Sequence, residues 1–195
     1  AGDLPITVTE INTQQQGRRT RGFIATIDLA DPRVEIVVTQ PRPEADGVEA
    51  KLVRTDVWQE RTKSVLAINA NFFGTLANNG ADIVGLSITD GKTVSPVRVF
   101  GGEPDPSLVF RADGTAAAGR FTTADLEGVV DAVAGVGGST TDNDPGTLLV
   151  TGGVNTGATA RVQPGVRNPR TAAGVSADGR TLIVAVIDGI VQAAA

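Results

Sequence analysis

The chain of 195 residues contains no cysteine and no histidine. Without cysteine it has no disulfide bond, thiolate nucleophile or zinc–thiolate site. Without histidine it has neither a Ser-His-Asp triad nor a histidine metal site, and it lacks the usual general base near neutral pH. Acid–base chemistry must therefore come from Asp and Glu, or less readily from Lys. No cofactor is expected, and oxygen ligands would favour calcium or magnesium over zinc or copper.

The sequence also lacks a long apolar run and a stripe of basic residues. No segment approaches the roughly 20 apolar residues of a membrane span. The net charge of -5 makes nucleic acid and anionic membranes poor candidate partners. Apolar residues make up 41% and charged residues 20%, which predicts a folded core within a single domain spanning residues 1–195.

The N-terminal sequence Ala1-Gly2-Asp3 bears on localisation. It would suit a mature N-terminus left by cleavage of a signal peptide, and it would equally suit a trimmed chain. We expect a secreted, periplasmic or cell-surface protein.

Alternating apolar residues predict strands in the first third of the chain. Residues 23–29 and 34–38 each alternate, and Asp31-Pro32-Arg33 between them predicts a hairpin turn. Residues 49–63 carry an apolar stripe at helical spacing and predict a helix. Trp58, the one tryptophan, is expected to anchor this helix to the sheet.

The remainder of the chain combines turn signals with further strands. Asp90-Gly91 and Asp178-Gly179 each lie between apolar runs and predict hairpins. Thr122 to Asp125 resembles a capping box, and the apolar residues that follow to Val133 predict a second helix. Tight turns join successive strands without regular β-α-β alternation. We therefore predict an α+β fold, rich in strand and mainly antiparallel, with about two packed helices.

The most informative stretch lies near the C-terminus. Arg170 directly precedes one apolar strand, and Asp188 ends the next. If the two strands pair, a guanidinium and a carboxylate share one rim of a rigid frame, where functional sites are commonly built. Each residue has a plainer interpretation. Arg170 can pair with a surface carboxylate, and Asp188-Gly189 can be a turn that ends a strand.

The chain contains, in this order, a first motif Ala67-Ile68-Asn69-Ala70-Asn71-Phe72-Phe73, a second motif Arg167-Asn168-Pro169-Arg170-Thr171-Ala172 and a third motif Ile187-Asp188-Gly189. Together they resemble the Ile-Asn-Gly-Gly-Phe-Phe, Asn/His-Pro-Arg-Thr-Ala and Asp-Gly-Arg motifs of the phosphodiester glycosidase family. The mammalian member of that family is the uncovering enzyme, which removes N-acetylglucosamine from mannose 6-phosphate on lysosomal proteins. The resemblance covers most of the chain from about residue 20.

The resemblance implies cleavage of a sugar 1-phosphodiester through an oxocarbenium-like transition state, with a phosphate as leaving group. Phosphate already leaves readily, so the reaction chiefly needs a cation near the phosphate and a carboxylate near the anomeric carbon. Arg170 can supply the cation by forked hydrogen bonding, and Asp188 the carboxylate, as base or nucleophile. With Asn69, these residues are the catalytic candidates.

Five further residues are candidates for substrate binding: Asn71, Thr171, Asp82, Gly137 and Gly138. The amides of Asn69 and Asn71 can bind sugar hydroxyls or a metal, or they can be turn residues. The glycine-rich stretch 135–139 can present backbone N–H groups to a phosphate, or it can simply end a helix. Asp142-Asn143-Asp144 can bind calcium, although Pro145 breaks the EF-hand pattern and favours a solvated loop.

The sequence departs from the family pattern in three places. Ala70 and Asn71 replace two glycines, and Ile190 replaces an arginine. The helix and the Asp-Gly-Gly-Gly-Ser loop that follow the third motif in the family do not occur in this sequence, whose last residue is Ala195. We therefore expect the domain to lack its C-terminal part.

Besides an oxygen-ligated metal site that serves only stability, two functions are consistent with this sequence. One is a hydrolase acting on a carbohydrate phosphodiester. The alternative is a non-catalytic binding or assembly domain that retains the family fold, with self-association through the C-terminal edge of the sheet.

Overall fold

The computed structural model describes residues 4–15, 18–41, 47–135, 146–157 and 168–189. Strands dominate these residues, with one helix, α1 Thr55–Thr62, and two 3-10 turns, Ala77–Asn79 and Thr123–Leu126. The strands are β1 Ile6–Gln15, β2 Arg18–Asp28, β3 Ala50–Lys51, β4 Phe73–Leu76, β5 Gly80–Ile83, β6 Ser87–Thr89, β7 Lys92–Ser95, β8 Val99–Phe100, β9 Glu103–Pro104, β10 Pro106–Arg111, β11 Ala116–Arg120, β12 Val129–Ala134, β13 Val150–Thr151, β14 Val154–Asn155, β15 Arg170–Val175 and β16 Thr181–Ile187.

Two antiparallel sheets form the body of the fold. The first sheet has the strand order β1-β2-β16-β15, and the second sheet has the order β11-β10-β12-β6-β7. Smaller sheets are β3-β5-β4, β8-β9 and β13-β14. These pairings confirm the strand-rich, mainly antiparallel fold predicted from the turns. The first sheet joins the N-terminal hairpin to the C-terminal hairpin, because β2 pairs with β16.

A hydrophobic core lies between the two sheets. Its buried side chains are Ala25, Ile27, Leu29, Leu108, Phe110, Ala116, Leu182 and Val184. A second cluster covers the other face of the second sheet and contains Leu86, Ile88, Val109, Val129, Ala132 and Ala134. Burial of one large apolar side chain stabilises the fold by about 1.5–3 kcal/mol. The first sheet is therefore held firmly along its inner face.

The predicted second helix is wrong. The capping box is present, because the Thr122 N–H donates to the Asp125 carboxylate at 2.7 Å, but it opens only a 3-10 turn. The chain then forms β12, which lies between β10 and β6 in the second sheet. A central strand is apolar on both faces, so its sequence also satisfies helical spacing. Residues 126–133 could not distinguish the two structures locally.

The first predicted helix is confirmed but is shorter than residues 49–63. Ala50 and Lys51 pair with β5 instead, and α1 begins after Arg54. It ends at Thr62, and the following residue, Lys63, has a left-handed backbone with a φ of 57°. Trp58 is half-buried. Among the residues that the structure describes, no helix is both long and apolar enough to cross a membrane.

The chain turns at Asp31 as predicted, but the predicted hairpin is wrong because no strand directly follows the turn. The side chain and the backbone N–H of Arg33 hydrogen-bond the Asp31 carboxylate, which lowers its pKa to about 2. Residues 34–40 then run without strand pairing, and Val34 and Ile36 pack against the core. The place beside β2 is taken by β16, so residues 34–38 cannot occupy it.

Both predicted Asp-Gly hairpins are confirmed. Asp90 and Gly91 have φ values of 49° and 71°, as a two-residue hairpin turn between β6 and β7 requires. Asp178-Gly179 lies in the turn between β15 and β16. The second of these hairpins carries the candidate residues near the C-terminus.

Candidate functional site

The first and second motifs meet through a side-chain hydrogen bond. The Thr171 hydroxyl donates to Asn69 Oδ1 at 2.6 Å, across 102 positions of sequence. Asn69 is exposed, whereas its neighbour Ile68 packs against the core. Burial of Ile68 thus presents Asn69 at the end of the first sheet, where β15 begins.

The third motif lies against the second, backbone to backbone. A Cβ atom on Gly189 would come within 2.0 Å of the Asn168 carbonyl carbon and 2.2 Å of the Pro169 nitrogen. Only glycine fits such an approach. Gly189 therefore lets the third motif close against the second, a role beyond the turn that the sequence indicated.

Asp188 terminates the pairing between β16 and β2. Its N–H donates to the Arg21 carbonyl at 2.8 Å, and its Oδ1 accepts the Arg21 N–H at 2.7 Å. In a regular antiparallel pair the second bond would go to the backbone carbonyl of residue 188. The carboxylate takes that place, which holds it at the end of the sheet and fixes its orientation.

Arg170 shares this end of the sheet but extends from its other face. It lies opposite Ile187 in the strand register, whereas Thr171 lies opposite Val186. Because side chains alternate along a strand, Thr171 and Val186 continue the core-facing side, and Arg170 is on the outer side. Arg170 is half-buried. The structure thus places Arg170, Thr171 and Asp188 at one end of the sheet. The strand register puts the side chains of Arg170 and Thr171 on opposite faces of that sheet.

The remaining candidates are more scattered. The Asn71 amide donates to the carbonyls of Val84 and Leu86 at 3.2 and 3.0 Å, which ties the first motif to the segment before β6. Asp82 is exposed on β5 and lies opposite Gly74, which directly follows the first motif, but this small sheet is separate from the first sheet that carries the second and third motifs. Gly137 and Gly138 lie outside the described residues.

The core-facing side of the first sheet opens at the end that carries the motifs. Ala25 and Val184 are 4% and 5% exposed, whereas the next pair along the strands, Phe23 and Val186, is 55% and 38% exposed. Val186 also lies opposite Thr171, so these side chains form one row across β2, β16 and β15. The face that is packed in the middle of the sheet is therefore open beside Asn69 and Asp188.

Sequence reasoning missed Phe23 and Arg21 as members of this site. Both have the strand parity of the buried Ala25 and Ile27, so their side chains share the core-facing side. Extending the alternation of β2 from Ala25 towards the N-terminus would have indicated that Phe23 and Arg21 lie on the core-facing side. It would not have shown the proximity to Asp188, which depends on the pairing of β2 with β16.

The cavity beside the site and the arrangement of acidic residues do not identify a substrate or a metal ion. An open cavity of about 2520 Å³ borders Asn69, Arg170 and Thr171, together with residues of both sheets and α1. Ligand pockets are roughly 300–1,000 Å³, so this cavity is too extensive to outline a substrate. Within the described ranges there is no group of three or more Asp or Glu residues arranged to hold a metal ion. The run Asp142-Asn143-Asp144 lies outside those ranges.

Comparison with protein families gives a match over most of the chain. The family model described as phosphodiester glycosidase matches residues 62–195, a range that includes all three motifs. A comparison with curated proteins finds no match.

Proposed function

The chain belongs to the phosphodiester glycosidase family, and on this premise we propose that it hydrolyses a sugar 1-phosphodiester at the open end of the first sheet. The observation that carries the proposal is the convergence of the three motifs. Asn69 is bonded to Thr171, and Gly189 lies against Asn168 and Pro169. Segments so far apart in sequence meet at a sheet end that also leaves an apolar face uncovered.

We assign the carboxylate role to Asp188. The hydrogen bond from the Arg21 N–H holds Oδ1, so the carboxylate has a fixed direction before substrate binds. Its other oxygen would face the anomeric carbon, or the water that attacks it. In the reaction the bond from the anomeric carbon to the phosphate oxygen breaks and the phosphate monoester leaves, while the water oxygen becomes bonded to the sugar and the proton that the water loses passes to the Asp188 carboxylate. Such preorganisation lowers the cost of reaching the transition state.

We assign sugar binding to Asn69 and phosphate binding to Arg170. Asn69 Oδ1 accepts the Thr171 hydroxyl, so the amide NH₂ is the group directed to a sugar hydroxyl. Arg170 begins β15 at the same sheet end. We place the phosphate beyond the end of the strands and not over one face of the sheet. At that position the Arg170 side chain can reach it from the outer face. Forked hydrogen bonds from a guanidinium would stabilise the leaving phosphate.

The test is release of sugar from a panel of sugar 1-phosphodiesters. We expect release by the wild type and its loss in Asp188→Asn and Arg170→Gln variants. The matched control is Arg180→Gln, because Arg180 is exposed at the opposite end of the same sheet. Sugar release that is equal in all four proteins would refute the site, and no release from any diester would refute the activity.

A non-catalytic assembly role is the second candidate, and the strand order favours it. In the described part of the first sheet, β15 is an edge strand that pairs with β16 on one side. An exposed edge can pair with the same strand of a second copy. Sedimentation velocity over a range of concentrations tests this, with Ala173→Pro in β15 as the variant. Self-association that Ala173→Pro abolishes, in a protein that releases no sugar, would favour assembly over catalysis.

A further inference from the structure

The first sheet extends beyond the candidate site as a two-stranded arm. β2 pairs with β16 only from Gly22 to Asp28, but it pairs with β1 along almost its whole length. Residues 12–15 and 18–21 therefore project past the third motif, and we call them the hairpin arm. The arm begins at Arg21, whose backbone is bonded to Asp188. The candidate site and the arm are thus continuous.

One face of the arm continues the open, core-facing side of the sheet. Phe23 and Glu10 form the same-face pair that precedes the arm, and within the arm Arg21 lies opposite Asn12 and Arg19 opposite Gln14. These residues have the parity of Ala25 and Ile27, which face the core. The Arg19 Nε donates to Asn12 Oδ1 at 2.9 Å, as side chains on one face of the hairpin can do.

This face has the composition of a surface for an anionic carbohydrate. Arg19 and Arg21 place two guanidinium groups on it, in a chain whose net charge is -5. Exposed Phe23 offers an aromatic ring beside them, and Asn12 and Glu10 offer groups that bond hydroxyls. Guanidinium groups bind phosphate oxygens in a forked manner. The region matched by the family model begins only at residue 62, so these residues are additional to it.

We propose that the hairpin arm binds a second sugar phosphate, next to the unit whose bond is cleaved. The natural substrate is then an oligomer or polymer with repeated phosphodiester links and not a single isolated diester. This inference rests on the proposed function, because it takes the end of the sheet as the place of cleavage. Arg21 and Phe23 contact the unit nearest Asp188, and Arg19 contacts the charge farther along the arm.

Binding and catalysis are tested separately on the full chain. Binding is measured by calorimetry with two probes, a phosphodiester-linked hexose polymer and a neutral hexose polymer of equal length. Catalysis is measured as sugar release from a diester with one phosphate and from an oligomer with several. The variants are Arg19→Gln, Arg21→Gln and Phe23→Ala. Arg180→Gln, on the same sheet but away from the arm, is the control for loss of one positive charge.

We expect the charged polymer to bind the wild type and the Arg180→Gln control equally, and the neutral polymer to bind much more weakly. Arg19→Gln and Arg21→Gln should each raise the Kd for the charged polymer about five- to tenfold, the scale of one exposed charge-assisted hydrogen bond. Phe23→Ala should weaken the binding of both polymers, since an aromatic ring contributes to sugar binding independently of charge. On oligomers, Arg19→Gln should raise KM with little effect on kcat.

Several results would overturn the inference. They are absence of binding to the charged polymer, equal binding by the arginine variants and wild type, and an equal loss in Arg180→Gln. Failure of the proposed function looks different, because the arm would still bind the charged polymer while no diester released sugar. Folding of the variants is checked by thermal denaturation, and each altered side chain is exposed.

Discussion

Asp188 has a structural role that is observed and a catalytic role that we propose, and substitution can separate the two. Its Oδ1 accepts the Arg21 N–H at 2.7 Å, and its negative charge is the proposed base or nucleophile. Asp188→Asn keeps an oxygen acceptor at the same place but removes the charge. Asp188→Ala removes both. Comparing the two variants therefore distinguishes a structural carboxylate from a catalytic one.

The expected magnitudes differ between the two variants. Loss of one exposed hydrogen bond to a charged group should cost Asp188→Ala about 1–2 kcal/mol in the free energy of unfolding. For a chain of this size, each kcal/mol shifts Tm by about 2–4 °C, so the loss is about 2–8 °C. Asp188→Asn should lose at most about 1 kcal/mol, because a neutral acceptor still binds the N–H. Sugar release should fall about 10²–10⁴-fold in both variants, the usual effect of removing a general base.

Thermal denaturation and sugar release are measured on the same preparations. A Tm for Asp188→Asn as low as that of Asp188→Ala would contradict the hydrogen-bond account, since the acceptor is retained. Full sugar release by Asp188→Asn would contradict the catalytic assignment. Normal stability of both variants, together with full release, would remove Asp188 from the site.

Three more predictions follow from the same structure. Gly189→Ala should lower Tm and abolish sugar release, because the new methyl group meets the backbone of the second motif within 2.0 Å; normal stability would refute this close approach. Thr171→Val should raise KM while Thr171→Ser does not, because only valine breaks the bond to Asn69; equal KM values would refute it. The Asp31 carboxyl should titrate near 2 by NMR, and in Arg33→Ala towards 3.8. Because the folded-state pKa is lowered, the stabilisation by Asp31 should be present above pH 3.8 and disappear as the pH falls through about 2.

The candidate site was only partly predictable from sequence. The three motifs predicted which segments form the candidate site, and the Asp-Gly turn predicted that β15 and β16 pair. The sequence did not show that Asn69 bonds Thr171 or that the Asp188 carboxylate replaces a ladder carbonyl. Those contacts join segments 102 and 167 residues apart, and no local propensity encodes such distances.

Alternation and turn chemistry determined much of the local structure from the sequence alone, because strand parity and positive φ depend on neighbouring residues. Phe23, Ala25 and Ile27 share one face of β2 as their spacing predicts, and Asp90-Gly91 forms its hairpin. Only the tertiary structure decided that β16 pairs with β2, where residues 34–38 had been predicted to pair. That choice between non-local partners depends on the burial of complete sheet faces. The tertiary structure also decided that Arg21 lies beside Asp188. The strand register places the Arg170 side chain on the outer face of the sheet.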